Sequence, residues 1–503
     1  MNKKYAYLAW ITIIGFLIFR IIYIAVTEYN LTEDEAYFWD WSRHPAMSYY
    51  DMGPMIAWII RFFTLLLPLS EFSVRIGTPL LIAMTGAVIY LLAADITRSS
   101  LLGFITVLLF HITPINTAGG IIITYYSPQV FFMAITALFL WQLVKSNDSR
   151  WWYLIGLSLG LGLLSHHMFI LFSAEVALFV LLSGNRRKWL TSRELYFGVI
   201  IGILVASPVI IWNMTHGYVM IRHAVGLMST WSDIIKTFGE YLGGQAGVQT
   251  PLFFLAVVYA ISISGYRGIR LRDEKHLLLF SLSAPIIIFI ALLSAGGRTE
   301  ANWPVSGYIT GGISAVWVLS EKYELGSRIK RISITAAGIF TLLFGIAALG
   351  IAYFPSTVHK ITGISLPPRL DPANRLYGWR ELGEEVSAVR KVMPGEAFIA
   401  TNGYGLNAEL AFYVEGNPEV YEIPVKRRFS QYDFWNDAIN VVGKDAVFTS
   451  RRPMTEGIKA LFDRIELAKH LVIRTETGNE VRKQFYIYRC YNYKGTSGQV
   501  SSY

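Results

Sequence analysis

The sequence predicts a polytopic α-helical membrane protein of about eleven spans, followed by a small extracytoplasmic α/β domain. Three observations predict it. Of 503 residues, 53% are hydrophobic and only 16% charged, whereas soluble domains carry about 25% charged residues. The apolar residues gather in runs of membrane-crossing length separated by charged breaks. After residue 353 the runs stop and an ordinary soluble pattern begins. The same composition excludes a disordered chain, and the single Cys490 excludes a disulfide scaffold.

The first span, 7–26, follows Lys3 and Lys4 and is too long and unbroken for a cleaved signal, so it reads as a retained anchor. Further spans are expected at 76–94, 101–115, 128–144, 152–165, 168–182, 196–212, 251–264, 277–294, 305–319 and 332–353. Basic residues then set orientation. With a cytoplasmic N-terminus, the inner loops collect Arg98, Lys145, Arg150, Arg186, Arg187, Lys188, Arg193, Arg267, Arg270, Arg272, Lys275, Lys322, Arg328, Lys330 and Arg331. The outer loops hold Arg43, Arg61, Arg75, Arg222, Lys236 and Arg298. This bias accounts for most of the net charge of +9, so a nucleic-acid partner is not expected. An odd number of spans places the tail outside a plasma (inner) membrane.

The domain division expected is therefore 1–353, a membrane domain with a functional outer loop at 27–75, and 354–503, a soluble extracytoplasmic α/β domain. Pro355, Pro367, Pro368 and Pro372 mark a linker. Helices are expected at 378–392 and 406–414, with strands at 397–401, 445–449 and 484–489.

The 27–75 loop carries the unusual residues. Glu33, Asp34, Glu35 and Asp40 stand among Tyr37, Phe38, Trp39 and Trp41, a mixture suited to the membrane interface. Two readings stay open on these residues alone. They form an acidic loop with an aromatic belt, or a carboxylate pair in which one acts as a general base and the other tunes it.

Asp34-Glu35-Ala36-Tyr37-Phe38-Trp39, with Ser48-Tyr49-Tyr50-Asp51 and Pro54, resembles the first outer loop of bacterial polyprenyl-phosphate-sugar glycosyltransferases. That C-type-fold group resembles protein O-mannosyltransferases and the lipid A aminoarabinose transferase. The likeness continues through Arg75, Trp212-Asn213 with His216, Gly243-Gly244-Gln245 with Pro251, and Glu300-Ala301-Asn302-Trp303-Pro304. It reaches Gly378-Trp379-Arg380-Glu381-Leu382 and Leu410-Ala411-Phe412-Tyr413 in the tail.

The resemblance implies that Asp34 is the catalytic base and Glu35 its acidic partner. The donor it implies is a sugar on a long isoprenoid phosphate such as undecaprenyl phosphate, and the acceptor an extracytoplasmic lipid-linked glycan, lipopolysaccharide core or protein. Inversion at the anomeric carbon is expected. Tyr50, Asp51, Arg75, His166, His167, Asn213, His216, Arg222, Gln245, Glu300, Asn302 and Trp303 are the candidate substrate-binding residues. Arg75 and Arg222 are the outer cations suited to the donor phosphate, or else to lipid headgroups.

Three departures stand out. Met52-Gly53-Pro54 replaces the relatives' His-Pro-Pro, Ser127-Pro128-Gln129 replaces Thr-Pro-Asp, and Ser165-His166-His167 replaces Ser-Lys-Tyr. The last turns a permanent cation into a titratable one, so His166 is expected to give activity a pH dependence if it meets phosphate. No cofactor is implied with certainty; a divalent metal, Mg or Mn, stays open. Glu175 and His111 read as structural. The rival function is a transporter or flippase of lipid-linked sugars, with internal repeats and midplane polar clusters as its expected marks; the polar signatures here gather instead in outer loops.

Overall fold

The computed structural model describes residues 2–228, 234–297, 299–355, 357–358, 367–368, 371–423, 425, 428–435, 438–475 and 480–495. Arg298 and most of the expected linker at 354–372 lie outside the described residues.

Each expected span meets helix. Seven described helices are long and apolar enough to cross a membrane: Lys3–Val26, Glu71–Ile96, Tyr126–Ser146, Arg193–Thr215, Pro251–Arg270, Glu274–Ser294 and Arg328–Tyr353. Ser100–Ile112, Trp151–Ser165 and Phe169–Leu182 have 13, 15 and 14 residues. At 1.5 Å per residue they fall short of a hydrocarbon core about 30 Å thick. Val305–Glu324 has the length, but Ser306, Thr310 and Ser314 dilute its apolar character. Their partners are internal: Thr310 donates to the Leu282 carbonyl (2.9 Å) and Ser314 bonds Ser264 (2.7 Å).

The two charged side chains deepest in the bundle have internal partners, as hydrocarbon demands. Arg20 of the first span donates to Tyr353 Oη (3.2 Å), His111 Nδ1 (3.1 Å) and the Asn116 carbonyl (2.9 Å). It thereby ties the first span to the last. Glu175 accepts the Ile286 amide (2.9 Å) at the first turn of Ala284–Ser294, a capping role that accounts for an acid in an apolar helix.

The 27–75 loop is helical, in Glu33–Arg43, Met55–Leu66 and Glu71–Arg75. A capping box starts the first: Glu35 N donates to Thr32 Oγ1 (3.3 Å) and Thr32 N to Glu35 Oε2 (2.9 Å). Its acids Glu33, Asp34 and Glu35 complement the positive end of the helix dipole. Gly53 explains one departure from the relatives. A Cβ there would lie 2.2 Å from the Leu164 carbonyl, so only glycine lets this loop press onto the end of Trp151–Ser165.

The C-terminal residues form a five-stranded sheet of order β2-β1-β3-β5-β4. The strands are β1 Phe398–Thr401, β2 Val420–Glu422, β3 Ala446–Ser450, β4 Phe462–Arg474 and β5 Val481–Tyr493. β1 pairs in parallel with β2 and β3, while β5 pairs antiparallel with β3 and β4. The expected helices appear as Trp379–Lys391 and Tyr404–Tyr413. β2 and β4 were not expected: β2 has three residues, and β4 carries charges along an exposed edge.

The sheet and the 27–75 loop share one hydrophobic cluster, in which Leu31, Phe38 and Trp39 pack with Trp379, Leu406 and Phe412. Polar ties reinforce it. Trp379 N donates to Asn30 Oδ1 (2.9 Å), Tyr432 Oη to Asp40 Oδ2 (2.7 Å), and Arg380 pairs with Glu71 (2.6 Å).

Candidate active site

The first turn of Glu33–Arg43 sends three neighbouring carboxylates in three directions, because successive helical residues are about 100° apart. Glu33 reaches Arg451 of the sheet domain. Asp34 faces a cleft of about 330 Å³. Glu35 turns inward and is fully buried.

The cleft collects residues from chain segments far apart in sequence. Asp34 and Asp51 come from the 27–75 loop, Tyr125 from the connection after Ser100–Ile112, and His166 and His167 from that after Trp151–Ser165. Glu300 and Trp303 precede Val305–Glu324, and Tyr404 and Arg428 come from the sheet domain. In the numbering of spans expected from the sequence, each of these connections follows an odd-numbered one. Six residues singled out in the sequence thus meet here: Asp34, Asp51, His166, His167, Glu300 and Trp303. Asn302 stands one step behind, donating to Tyr125 Oη (3.0 Å).

Asp34 is half-buried, and Tyr404 Oη donates to its Oδ1 (3.3 Å). Burial raises its pKa above the usual carboxylate range. Arg375 opposes the rise, Glu33 adds to it, and the Tyr404 hydrogen bond lowers it again. Asp51 accepts from Tyr37 Oη (3.1 Å) and from Arg428 Nη2 (2.6 Å). Burial nonetheless pushes Asp51 up to about 6, against the pull of Arg428.

His166 is buried, with its ring stacked between Tyr125 and His167, each 4.1 Å away between centroids. Its Nδ1 accepts the Met168 amide (3.2 Å). Burial, aided by His167, pushes its pKa well below the ordinary imidazole value. Burial and the commitment of Nδ1 to backbone both disfavour the titrating phosphate ligand expected from the sequence. In a His166→Gln variant the acidic limb of kcat/KM against pH should keep its midpoint; a displaced midpoint would restore the titrating role. His167 is also held neutral by burial, at about 4.

The remaining sequence candidates sit elsewhere. Glu35 accepts from Arg75 Nε (2.8 Å) and Nη2 (2.7 Å), from Ile123 N (3.0 Å) and from Thr32 N (2.9 Å). Arg75 also donates to the carbonyls of Tyr29 (3.1 Å) and Asn30 (2.6 Å). These two were expected at the chemistry and instead form a buried pair that braces the helix Glu33–Arg43. Gln245 holds the 300–304 loop, donating to the Ala301 carbonyl (3.0 Å) and accepting from Tyr308 Oη (2.9 Å). Tyr50 is buried against Phe429. His216 stacks on Trp212 (4.1 Å), and Asn213 donates to the Val209 carbonyl (3.0 Å). Tyr50 and, through Phe434, His216 pack against the sheet domain, Asn213 bonds within its own helix, and none of the three lines the cleft. Arg222 lies exposed on Val219–Met228, outside the cleft lining.

Sequence reasoning missed Tyr404 and Arg428. Arg428 ends the basic run Lys426-Arg427-Arg428, a signal that was available. Among the described residues no three His, Cys, Asp or Glu side chains converge as a metal-binding group. Asp51 is already committed to Tyr37 and Arg428.

Residues 44–212 match the family described as dolichyl-phosphate-mannose-protein mannosyltransferase. The lipid A galacturonosyltransferase RgtD of Rhizobium johnstonii is 27% identical over 411 residues, covering 80% of this chain and 81% of RgtD. Among solved structures, apo ArnT from Cupriavidus metallidurans superposes with a TM-score of 0.62 at 12% identity, covering 95% of this chain and 97% of ArnT. Its complex with undecaprenyl phosphate gives 0.61 at 12% identity, covering 96% and 98%. The Archaeoglobus fulgidus oligosaccharyltransferase crystallised with Zn and sulfate gives 0.51 at 12% identity, covering 87% of this chain and 67% of that one. The fold is therefore that of the C-type membrane glycosyltransferases. This chain is a multi-pass membrane glycosyltransferase.

Proposed function

We propose that the chain transfers one sugar from a polyprenyl-phosphate donor to a glycan acceptor on the outer side of the plasma (inner) membrane, with Asp34 as general base. The observation that carries this reading is the Asp34 carboxylate, desolvated and hydrogen-bonded by Tyr404, on the wall of a cleft beside Arg428. Support for the donor comes from ArnT, solved with undecaprenyl phosphate. Support for a lipid-linked glycan acceptor comes from RgtD, whose name specifies lipid A.

The chemistry balances on these groups. An acceptor hydroxyl gives its proton to Asp34 as its oxygen attacks the anomeric carbon. The new C–O bond forms opposite the departing phosphate oxygen, which inverts the centre. Polyprenyl phosphate leaves with the bonding electron pair, and its added negative charge needs cationic donors. Arg428 is the cation among the described residues lining the cleft, and its guanidinium has five N–H donors, so it can serve Asp51 and a phosphate together. Glu300 and the Asn302–Tyr125 pair stand where a donor sugar would be held.

We read the chain as two units, 1–353 in the membrane and 354–503 outside, with the N-terminus cytoplasmic. Protease added to intact spheroplasts should cleave the C-terminal domain; its complete protection would reverse the topology. Lipid analysis of a deletion strain tests the function. One glycan should lose a single sugar residue while the corresponding polyprenyl-phosphate sugar accumulates, and unchanged glycans would remove the assignment.

A further inference from the structure

A second cleft, of about 400 Å³, lies in the sheet domain beside the first. Its position follows from the sheet topology. β1 leads into Tyr404–Tyr413, which packs on the face holding Ile399 and Val447. β3 leads into Glu456–Lys459, on the opposite face with Phe398 and Phe448. Two neighbouring parallel strands thus send their chains to opposite sides. A crevice opens at their carboxyl ends, which is where open α/β sheets hold their ligands.

One wall is Asn402 to Leu406, leaving β1; the other is Ser450, Arg451 and Arg452, leaving β3. Glu33 closes the bottom, paired with Arg451, whose guanidinium also lies 5.4 Å over the Trp379 ring. That pair is close to neutral, so exposed Arg452 gives the crevice a net positive charge. Gly405 is needed for this closure: a Cβ there would lie 2.6 Å from Glu33 Oε1. Tyr404 lines both clefts and donates to Asp34. Glu33 and Asp34, adjacent in the chain, therefore face the two clefts from one helical turn.

We infer that this crevice binds the acceptor, through an anionic group carried on the acceptor glycan. The inference rests on the glycosyltransferase reading and adds the acceptor's place and charge. Arginine suits such a group because its planar fork matches phosphate or carboxylate oxygens. A sugar anchored there would present a neighbouring hydroxyl past Tyr404 to Asp34, while the donor occupies the other cleft.

The test is equilibrium binding of glucose 1-phosphate, glucuronate and glucose to the full chain in detergent. At least one anionic sugar should bind 10-fold or more tighter than glucose, and the tighter of the two identifies the group as phosphate or carboxylate. Arg452→Glu should abolish the preference with an unchanged unfolding midpoint, and Arg452→Ala should reduce it. Asp34→Asn should keep it, because Asp34 lies outside the crevice. No preference for the anions, or a preference that survives Arg452→Glu, overturns the inference. Slow donor hydrolysis by the wild-type chain without acceptor is measured in parallel. Its absence would count against the glycosyltransferase reading and leave the binding result to stand or fall separately.

Discussion

Asp34→Asn should lower turnover about 10²–10⁴-fold, the usual contribution of general-base catalysis. Asparagine keeps the size of the side chain and can still accept the Tyr404 hydrogen bond, so folding is spared while the proton acceptor is lost. Donor affinity should change little, since Arg428 and the hydrocarbon contacts of the donor remain. The pH profile makes the assignment sharper. Burial raises the Asp34 pKa, so falling pH protonates the base earlier than an ordinary carboxylate. The acidic limb of kcat/KM should sit above the usual range near pH 4. Tyr404→Phe removes a bond that favours the ionised form, so that limb should move to higher pH. Steady-state transfer and donor binding in detergent, across pH, check all three statements. Near-wild-type transfer by Asp34→Asn would end the base assignment.

Much of the architecture was legible because membrane spans advertise themselves by length and hydropathy, and the loop charges order them. That ordering puts Asp34, His167 and Glu300 in loops expected on one side of the membrane, and these residues meet in one cleft. What the sequence could not convey was direction within a turn. Asp34 and Glu35 look equivalent as a pair, yet the Thr32–Glu35 capping box and the helical rotation send one to the cleft and the other to Arg75. The box was readable as Thr-x-x-Glu, and it predicts that Glu35 is occupied. Arg428 and Tyr404 were hidden for a different reason: they reach the site only because the sheet domain folds back over the first loop, through contacts 370 and 377 residues apart in sequence. In β4 the polar pattern of an exposed hairpin edge concealed a 13-residue strand.

The Glu35–Arg75 pair gives the second large effect, and it is one of stability. Both side chains are buried, and the guanidinium is spread over the carboxylate and two backbone carbonyls. Arg75→Met leaves Glu35 without its counter-ion in a desolvated place, with the Thr32 and Ile123 amides to hold it. Removing one member of a buried pair costs about 3–5 kcal/mol, so the apparent Tm in detergent should fall markedly. Arg75→Lys keeps the charge but gives up the bidentate fork, and should fall between Met and wild type. Glu35→Gln in the Arg75→Met background removes the stranded charge and retains a capping side chain. That double variant should regain part of the lost stability, a coupling expected of residues in direct contact. The alternative role, Arg75 as a ligand for the donor phosphate, predicts the opposite signature. Under it, Arg75→Met would raise the donor Kd while the Tm stayed in place, and Glu35→Gln would rescue nothing. Because Arg75 donates to four oxygens already inside the protein, a binding the donor would have to break those bonds first. The thermal shift with rescue is therefore the expected result, measured by unfolding each of the four proteins in the same detergent.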